Sequence, residues 1–373
     1  MSYTLDQDGN EIQEILNKAA SAIEEGTQEE HESPSGVEKL ARLDRLVDSP
    51  FANKGFKNHI INGNFDIWQR GTSFSATTDS QYSADRWRNN QNQAVAASRQ
   101  EFTPGQTDVP GEPTYFHRSV VSAGDDSSFA SFQHRIESVR TLAGQKAVLS
   151  FYAKADEAKN ITVGGFQDFG SGGSPSDRVW LDYETISLTT TWQRFEISLD
   201  VPSIAGKTLG TAGDDYLGID FVFSYGSSRA NYANRGSLGH QSGTFDIAQV
   251  QIEAGPIATP FEQRPLGVEE QMCYRYYWSS PMMNLWVNPT NKNRLVLFNP
   301  QFPVNMRGVP TISTFSQDGT ASAVNLYNNA GAKLTVSSIS TSDTSGHIGF
   351  VTTATDGDAT SHYIFRYNAD AEL

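Results

Sequence analysis

The sequence predicts a mainly β protein, with short N-terminal helices, then an antiparallel jelly-roll sandwich, then a smaller C-terminal β-sandwich. Two segments, Phe195–Val201 and Leu217–Phe223, place an apolar side chain at every second position, as a half-buried strand requires. Gly, Ser, Thr and Asn are abundant, which favours many short strands joined by turns. No convincing helical period interrupts the middle of the chain. We therefore divide the chain into residues 1–57, 58–264 and 265–373.

The N-terminal segment predicts two short helices. Apolar side chains in residues 12–26 recur at alternating spacings of three and four, which gives a narrow a/d seam. A capping box, Ser35 with Glu38, begins the second helix. Helices this short are marginal alone, so we expect them to form a homotrimer; packing on the following domain is the alternative. The side chains assigned to the trimer contact are Ile12, Ile15, Ala19, Ala22, Leu40, Leu43 and Val47.

The middle of the chain contains further predicted strands and a closing strand with an irregularity. Phe245 and Ile247 alternate in one phase, and Val250, Ile252 and Ala254 alternate in the opposite phase. One extra residue exchanges the two faces of a strand, so this slip predicts a β-bulge near Ala248–Gln249. The other predicted strands of this domain are Thr114–Ser122, Ala130–Ile136, Lys146–Ala153 and Val179–Leu188.

A stiff connector, Gly255–Gly267, follows the closing strand, because its prolines keep the chain extended. Phe261 is its one large aromatic residue, so we expect Phe261 to be buried against the first sandwich and Arg264 to pair with an acidic neighbour. An amphipathic pattern in Val268–Tyr277 predicts one or two helical turns. The strands expected after it are Arg294–Phe298, Thr311–Phe315, Ala323–Tyr327, Leu334–Ile339, His347–Thr352 and Tyr363–Tyr367.

Composition excludes several classes of partner. The formal net charge is −15, which argues against binding nucleic acid or an anionic membrane surface, since both need clustered Lys and Arg. Cys273 is the single cysteine, so no intramolecular disulfide and no thiolate metal cage can form. Residues 1–30 are acidic and lack the apolar stretch of a secretory leader, and no run is apolar enough to span a membrane. We expect synthesis and folding in a reducing cytoplasm.

Catalytic motifs are not found in the sequence. The 7 histidines are scattered and none has metal-ligand spacing, so His117 and His134 are read as histidines of strands. The acidic pairs Asp125-Asp126 and Asp214-Asp215 lie in Gly-rich stretches, where turn formation explains them better than glycosidase chemistry. We therefore expect no enzymatic activity.

Several motifs together resemble a module that is widespread in bacteriophage virion proteins, a carbohydrate-binding-module-like jelly roll common in tail fibres. The resemblance covers nearly the whole chain, from the opening DGNEIQEILNKA to the ending YNADAEL. It implies a trimeric tail fibre or receptor-binding appendage that attaches to other virion proteins through its N-terminus and adheres to host surface glycans. The motifs between the two ends are Ile61–Gly71, Ala84–Trp87, Gln249–Arg264 and Met272–Tyr277.

Two alternatives remain open, a head fibre or capsid decoration protein without glycan binding, and a polysaccharide depolymerase. Sugars stack their apolar faces on aromatic rings, so Trp180, Tyr232 and Trp286 are the candidate glycan-binding residues. In carbohydrate-binding jelly rolls an acidic residue near the domain opening often helps to hold a structural calcium ion, and Asp66 is the matching candidate. No other cofactor is expected.

Overall fold

The computed structural model describes residues 56–229, 238–287, 294–298, 302–326, 333–341, 348–353 and 361–373. Residues 55–373 make one compact unit. The predicted N-terminal helices, the seven residues of the predicted trimer contact and Tyr232 lie outside the described residues. The homotrimer and the three domain limits therefore stay predictions.

The first part of the described chain forms two antiparallel sheets. The first sheet has the order β1-β3-β4-β12-β6-β10, and the second has the order β2-β5-β11-β7, with β8 and β9 both paired to β7. The strands are β1 (Ser73–Phe74), β2 (Trp87–Gln91), β3 (Val95–Glu101), β4 (Tyr115–Val121), β5 (Phe129–Glu137), β6 (Lys146–Ala155), β7 (Lys159–Asp168), β8 (Val179–Trp180), β9 (Glu184–Leu188), β10 (Gln193–Asp200), β11 (Tyr216–Tyr225) and β12 (Gly243–Ala254).

The core lies between these two sheets, as the predicted jelly-roll sandwich requires. Alternate residues of each strand point inward, and Trp87 stacks on Phe132 with ring centroids 4.9 Å apart. Phe151 meets Phe221 edge-on across the same core at 4.9 Å. All four side chains are buried. Large aromatic residues thus fill the sandwich, and truncating any one of them would cost about 3–5 kcal/mol.

The predicted bulge is confirmed. The pairing of β12 with β6 shifts register between Ala248 and Gln251. Gln249 has a φ of 48°, which is the left-handed conformation of the extra residue. Phe245 before the bulge and Ile252 after it are both fully buried. The bulge therefore explains how a strand whose alternation changes phase keeps facing one core.

The predicted strands of this domain are confirmed, but one of them is divided and four other strands were not predicted. The predicted strand Val179–Leu188 is divided into β8 and β9, and Leu181 between them is buried while Asp182 is exposed. The sequence prediction missed β1, β2, β3 and β7. In β7, Gly164 and Gly165 interrupt the apolar pattern. Both glycines are required by close neighbours, since a Cβ on Gly165 would lie 2.6 Å from the carbonyl oxygen of Gly218.

The connector leaves the first sheet and leads to the helix α1 (Leu266–Tyr274), which confirms the predicted helical turns. Arg264 pairs with acidic neighbours as predicted: its Nη1 atom lies 3.0 Å from Glu269 and its Nε atom 3.6 Å from Glu262. The prediction that Phe261 is buried was wrong, because this side chain is only half-buried and lines a groove. Polar contacts hold the connector instead, among them the Glu262 amide bonded to Gln251 at 2.8 Å.

The last part of the chain forms a third antiparallel sheet, of order β13-β20-β17-β18-β19-β15. The long strand β20 also pairs with β14 and β16. The strands are β13 (Tyr277–Ser279), β14 (Met283–Val287), β15 (Arg294–Phe298), β16 (Thr311–Phe315), β17 (Ala323–Leu326), β18 (Lys333–Thr341), β19 (Ile348–Thr353) and β20 (Ser361–Asp370). The six strands predicted for this region are all present.

Candidate functional site

The outward side of the second sheet carries polar side chains in register across its strands. Because Phe132 and Phe221 point into the core, their strand neighbours Gln133 and Asp220 point away from it. Cross-strand pairing aligns Arg88 with Gln133, Gln133 with Asp220, and Asp220 with Gly164. A row of polar side chains therefore crosses three strands on this side and ends beside Gly164 on the fourth.

Two glycines on the same side provide seats for aromatic rings. A Cβ atom on Gly164 would lie 2.5 Å from Cγ of Tyr183, and one on Gly218 would lie 2.5 Å from Cζ of Phe166. Such distances are far below van der Waals contact, so no other residue fits under either ring. The rings of Tyr183 and Phe166 consequently lie directly on the backbone of the sheet, a glycine–aromatic arrangement that also stabilises strand pairing.

Four aromatic side chains make up what we call the aromatic face: Phe166, Trp180, Tyr183 and Tyr216. The ring of Phe166 is 5.1 Å from that of Trp180 and 5.8 Å from that of Tyr216. Trp180 and Tyr183 are 6.3 Å apart and both are partly exposed, whereas Phe166 and Tyr216 are buried. The buried pair thus supports two rings that solvent can reach.

Charged groups surround the aromatic face and fix its geometry. The Arg178 guanidinium lies 4.2 Å from the centre of the Phe166 ring, and its Nε atom donates to Asp168 at 3.0 Å. The Tyr183 hydroxyl donates to Asp220, which is fully buried, at 3.3 Å. Aromatic rings that solvent can reach beside aligned amides, guanidinium groups and carboxylates can bind a flat polyhydroxyl ligand.

The predicted glycan-binding residues have different outcomes in the structure. Trp180 belongs to the aromatic face, and Tyr232 lies outside the described residues. The backbone of Trp286 is part of β14, but its side chain lies outside the described part of the chain. The sequence analysis missed Phe166, Tyr183 and Tyr216. The signal that could have found them is the Gly-Gly pair just before Phe166, which marks close approach of another group to the strand.

Asp66, the candidate calcium ligand, lines a groove at another place on the jelly roll. Burial raises the pKa of its carboxyl group, which accepts a hydrogen bond from Asn64 Nδ2 at 3.0 Å. Within the described ranges there is no group of three or more His, Cys, Asp or Glu side chains that could hold a metal ion. Calcium at Asp66 stays a prediction, since backbone and amide oxygens also serve as calcium ligands.

Four of the motifs that carry the resemblance converge at one place, which we call the joint. Arg86, of the ADRW motif, is fully buried and lies 3.4 Å from the centre of the Tyr276 ring. Its Nη1 atom contacts the carboxylate of Glu372, near the chain end. Arg70, of the WQRG motif, lies 3.4 Å from the centre of the Tyr277 ring and also reaches Glu372, at 3.4 Å. The joint thus connects the jelly roll to the region around α1, β13 and β20.

The joint also contains a carboxyl group whose pKa is raised above its ordinary value. Asp85 is buried beside Arg70, and burial raises its pKa to about 6, although Arg70 and hydrogen bonds from Gln69 act against this rise. Burial also raises the pKa of Tyr276 to about 12. Such shifts often mark active sites, but buried ion-pair networks produce them as well. The cation–π contacts and ion pairs of Arg70 and Arg86 form such a network, and they indicate that the joint holds the two parts of the chain together.

No protein-family model matches the sequence, and no curated protein matches it. Among solved structures, a putative sugar-binding protein from Bacteroides thetaiotaomicron is 16% identical; the match covers 53% of this chain and 100% of that one, with a TM-score of 0.33. The family 11 carbohydrate-binding module from Clostridium thermocellum, in complex with a β-1,3-1,4-mixed-linked tetrasaccharide, is 12% identical; the match covers 51% and 99%, with a TM-score of 0.30.

The enzymatically active domain of tailspike protein 4 from bacteriophage CBA120 also matches, at 15% identity and a TM-score of 0.32. That match covers 53% of this chain but only 22% of the tailspike chain. At these identities and TM-scores the three likenesses carry no argument about function, which has to come from the residues of this chain.

Proposed function

We propose that this protein is a virion component of a bacteriophage, a homotrimeric tail fibre or receptor-binding appendage that adheres to host surface glycans through the aromatic face. The observation that carries glycan binding is the seating of Tyr183 and Phe166 on glycines beside the partly exposed Trp180. The virion assignment is supported by the sequence resemblance. Nothing in the charge balance favours nucleic acid, and no described helix is long and apolar enough to cross a membrane.

The dimensions of the aromatic face suit several consecutive sugar units rather than one. Strands lie about 4.8 Å apart, so the row from Arg88 to Gly164 spans about 15 Å across four strands. A sugar ring can stack on Trp180 or Tyr183 while its hydroxyl groups meet the partly exposed Arg178 and Arg88. Each such contact is weak, and only several contacts together can make binding specific. This favours an extended segment of a polysaccharide chain as the ligand.

Weak single sites become strong when three copies bind together. The predicted a/d seam of residues 12–26 would bring three chains together. Linked sites then bind one cell surface with an avidity that can exceed the single affinity by about 10²–10⁴. Sedimentation of the full-length protein tests the assembly, and a monomer at micromolar concentration would contradict the trimer.

We further propose that the protein binds its glycan without cutting it. Glycoside hydrolysis needs two carboxyl groups about 5–10 Å apart across the scissile bond. On the aromatic face, Asp168 is bonded to Arg178 and Asp220 accepts from Tyr183. His117 and His134 are fully buried, and burial lowers the pKa of His117 to about 3. Incubation with host polysaccharide should release no reducing ends above the buffer level, and steady release would support the depolymerase alternative.

A glycan array and a cell-adhesion assay test the binding site directly. Trp180→Ala and Tyr183→Ala should each weaken binding at least tenfold, since a lost stacking contact is worth about 1.4 kcal/mol or more in a multivalent complex. Tyr152→Ala is the matched control, because Tyr152 is partly exposed on the outward side of the first sheet. Wild-type protein that binds no glycan would favour the decoration protein. Unchanged binding by both variants would remove the aromatic face as the site.

A further inference from the structure

The residues around Asp66, the ends of β3 and β4, and the connector form a groove that is separate from the aromatic face. Its volume is about 420 Å³, within the range of small-molecule sites. The partly exposed rings of Tyr115 and Phe261 line it, and so do the polar side chains of Asn64, Asp66 and Arg99. None of these residues belongs to the aromatic face.

Most charges near the groove are already used within the chain. Glu262 accepts hydrogen bonds from the backbone amides of Lys57 and Asn58, each at 3.1 Å. Glu269 accepts from Arg264 at 3.0 Å and from the backbone amide of Asn62. These groups hold the connector and α1 against the jelly roll. They shape the walls of the groove and leave little capacity for a ligand.

Three polar groups keep hydrogen-bonding capacity. Asn64 is buried, its Nδ2 atom donates to Asp66, and its Oδ1 atom has no hydrogen-bond partner among the described residues. Asp66 is only half-buried and can accept further bonds at its carboxylate. The Arg99 guanidinium lies 4.0 Å from the centre of the Tyr115 ring, which orients it by cation–π attraction. Two acceptors and one multiple donor therefore line one small groove.

This set of groups selects the class of ligand. An anion would gain Arg99 but would meet Asp66 and the Asn64 oxygen, and an unpartnered amide oxygen needs a donor. A cation would gain Asp66 but would meet Arg99 and Arg264. Adjacent hydroxyl groups fit all three, because each hydroxyl donates one hydrogen bond and accepts others. The ring of a small polyhydroxyl ligand can also contact Tyr115 and Phe261.

We propose that this groove is a second carbohydrate site, which binds a single sugar unit end-on through Asn64, Asp66 and Arg99. The inference deepens the proposed function, since it assumes that the chain's ligands are glycans, but it uses separate residues. The aromatic face would bind the interior of a polysaccharide chain and the groove would bind a terminal unit. The two sites would let one protein distinguish chain ends from chain interiors.

Free monosaccharides test the groove independently of the aromatic face. We would record saturation-transfer NMR spectra of the protein with D-glucose, D-galactose, D-mannose and N-acetyl-D-glucosamine, each alone. At least one sugar should receive saturation from wild-type protein. Arg99→Met, which keeps an apolar chain on Tyr115 but removes the donors, should reduce that signal at least tenfold. Tyr152→Ala, on the outward side of the first sheet, is the matched control and should leave the monosaccharide signal unchanged. Trp180→Ala is recorded beside it, to detect any monosaccharide that binds at the aromatic face.

A second variant guards against loss of folding. Asp66→Asn keeps the shape of the side chain, and its thermal unfolding should match wild type while its monosaccharide signal falls. The proposal is overturned if none of the four sugars binds wild-type protein, or if the signal survives in both Arg99→Met and Asp66→Asn. Loss of the signal in Trp180→Ala alone would place all binding on the aromatic face. Failure of polysaccharide binding with retained monosaccharide binding would overturn the proposed function but not the groove.

Discussion

The joint and the aromatic face contain the same kinds of side chain, but these side chains have different roles in the two places. In both places arginines lie over aromatic rings, with Arg86 over Tyr276 in the joint and Arg178 over Phe166 on the aromatic face. At the joint the arginine is fully buried and bonded to Glu372. On the aromatic face the Arg178 side chain is 38% exposed. The buried Arg86 therefore stabilises the contact between two parts of the chain, whereas the partly exposed Arg178 can contact a ligand.

This difference shows what the sequence motifs represent. Arg70, Arg86, Tyr276 and Glu372 come from four separate motifs and meet in one buried network. A buried charge without its partner is costly, so each of these positions tolerates few residue types. The aromatic face requires only rings and small residues at matching positions, and no short motif results. The recognisable segments of this chain therefore mark how its parts are joined, and not what it binds.

The largest expected effect is at the joint. Arg86→Met should lower the free energy of unfolding by about 3 kcal/mol or more, because Glu372 loses a buried partner. Chemical denaturation measures this change. Arg178→Met is the matched control: it breaks the partly exposed contact with Asp168, so it should cost less than about 1 kcal/mol. Equal losses in the two variants would show that burial does not separate the two regions.

The pH dependence of stability sharpens the same contrast. Asp85 has a pKa of about 6 in the folded protein, against an ordinary value of 3.8, so the folded state binds more protons between these pH values. Its contribution to stability is therefore present below pH 4 and is lost as the pH rises through 6, by about 3 kcal/mol in full once the pH is above the folded pKa. Unfolding should be measured at about pH 4 and about pH 7 for wild type and Asp85→Asn.

The variant removes this titration, so the wild-type stability minus that of Asp85→Asn should fall with rising pH. A constant difference would mean that Asp85 titrates normally.

Glu137, at the edge of the joint, provides an internal contrast to Asp85. Hydrogen bonds from Arg275 and Tyr276 lower its pKa although burial opposes them, so its contribution is lost as the pH falls. The two carboxyl groups thus act in opposite directions.

On the aromatic face a smaller change of stability should accompany a large change of binding. Gly164→Ala places a methyl group 2.5 Å from the Tyr183 ring, which has to move. Glycan binding should fall at least tenfold, while overpacking costs about 1–3 kcal/mol. Gly267→Ala is the matched control, because no atom lies within 4 Å of its new Cβ. Normal glycan binding by Gly164→Ala would show that the position of the ring does not matter.

The sequence predicted the parts of the fold that alternation controls. The strand β10 buries every second residue towards its end, and β11, although buried throughout, places large apolar side chains at every second position, so their apolar periods were clear. The bulge of β12 was visible for the same reason. β2 was missed because its inward residues after Trp87 include Asn89 and Gln91, which are buried but polar. A polar residue can face the core when its hydrogen-bonding groups have partners. The side-chain amide of Gln91, for example, donates to the backbone carbonyl oxygen of Thr77.

The candidate site was much less predictable. Trp180 was chosen as a possible platform, but its neighbours could not be named, because adjacency on a sheet depends on register between distant strands. Gly164 lies opposite Asp220, and Phe166 lies opposite both Gly218 and Trp180. No local pattern contains that information. The groove was partly indicated, since Asp66 was selected, yet Arg99 and Tyr115 come from strands with no special signal.

The smallest expected effect concerns Phe261 of the connector. A fully buried phenylalanine would cost about 3–5 kcal/mol on truncation, but this side chain is half-buried at the rim of the groove. The main anchors of the connector are polar: Thr259 donates its amide to Glu253 at 2.6 Å, and Glu262 donates its amide to Gln251. Phe261→Ala should therefore lower the free energy of unfolding by only about 1–2 kcal/mol, in proportion to the apolar area lost. Urea denaturation of Phe261→Ala and of Phe151→Ala, a fully buried reference in β6, provides the comparison. A loss for Phe261→Ala as large as that for Phe151→Ala would mean that the connector is held by its aromatic residue after all, and that the polar contacts contribute little.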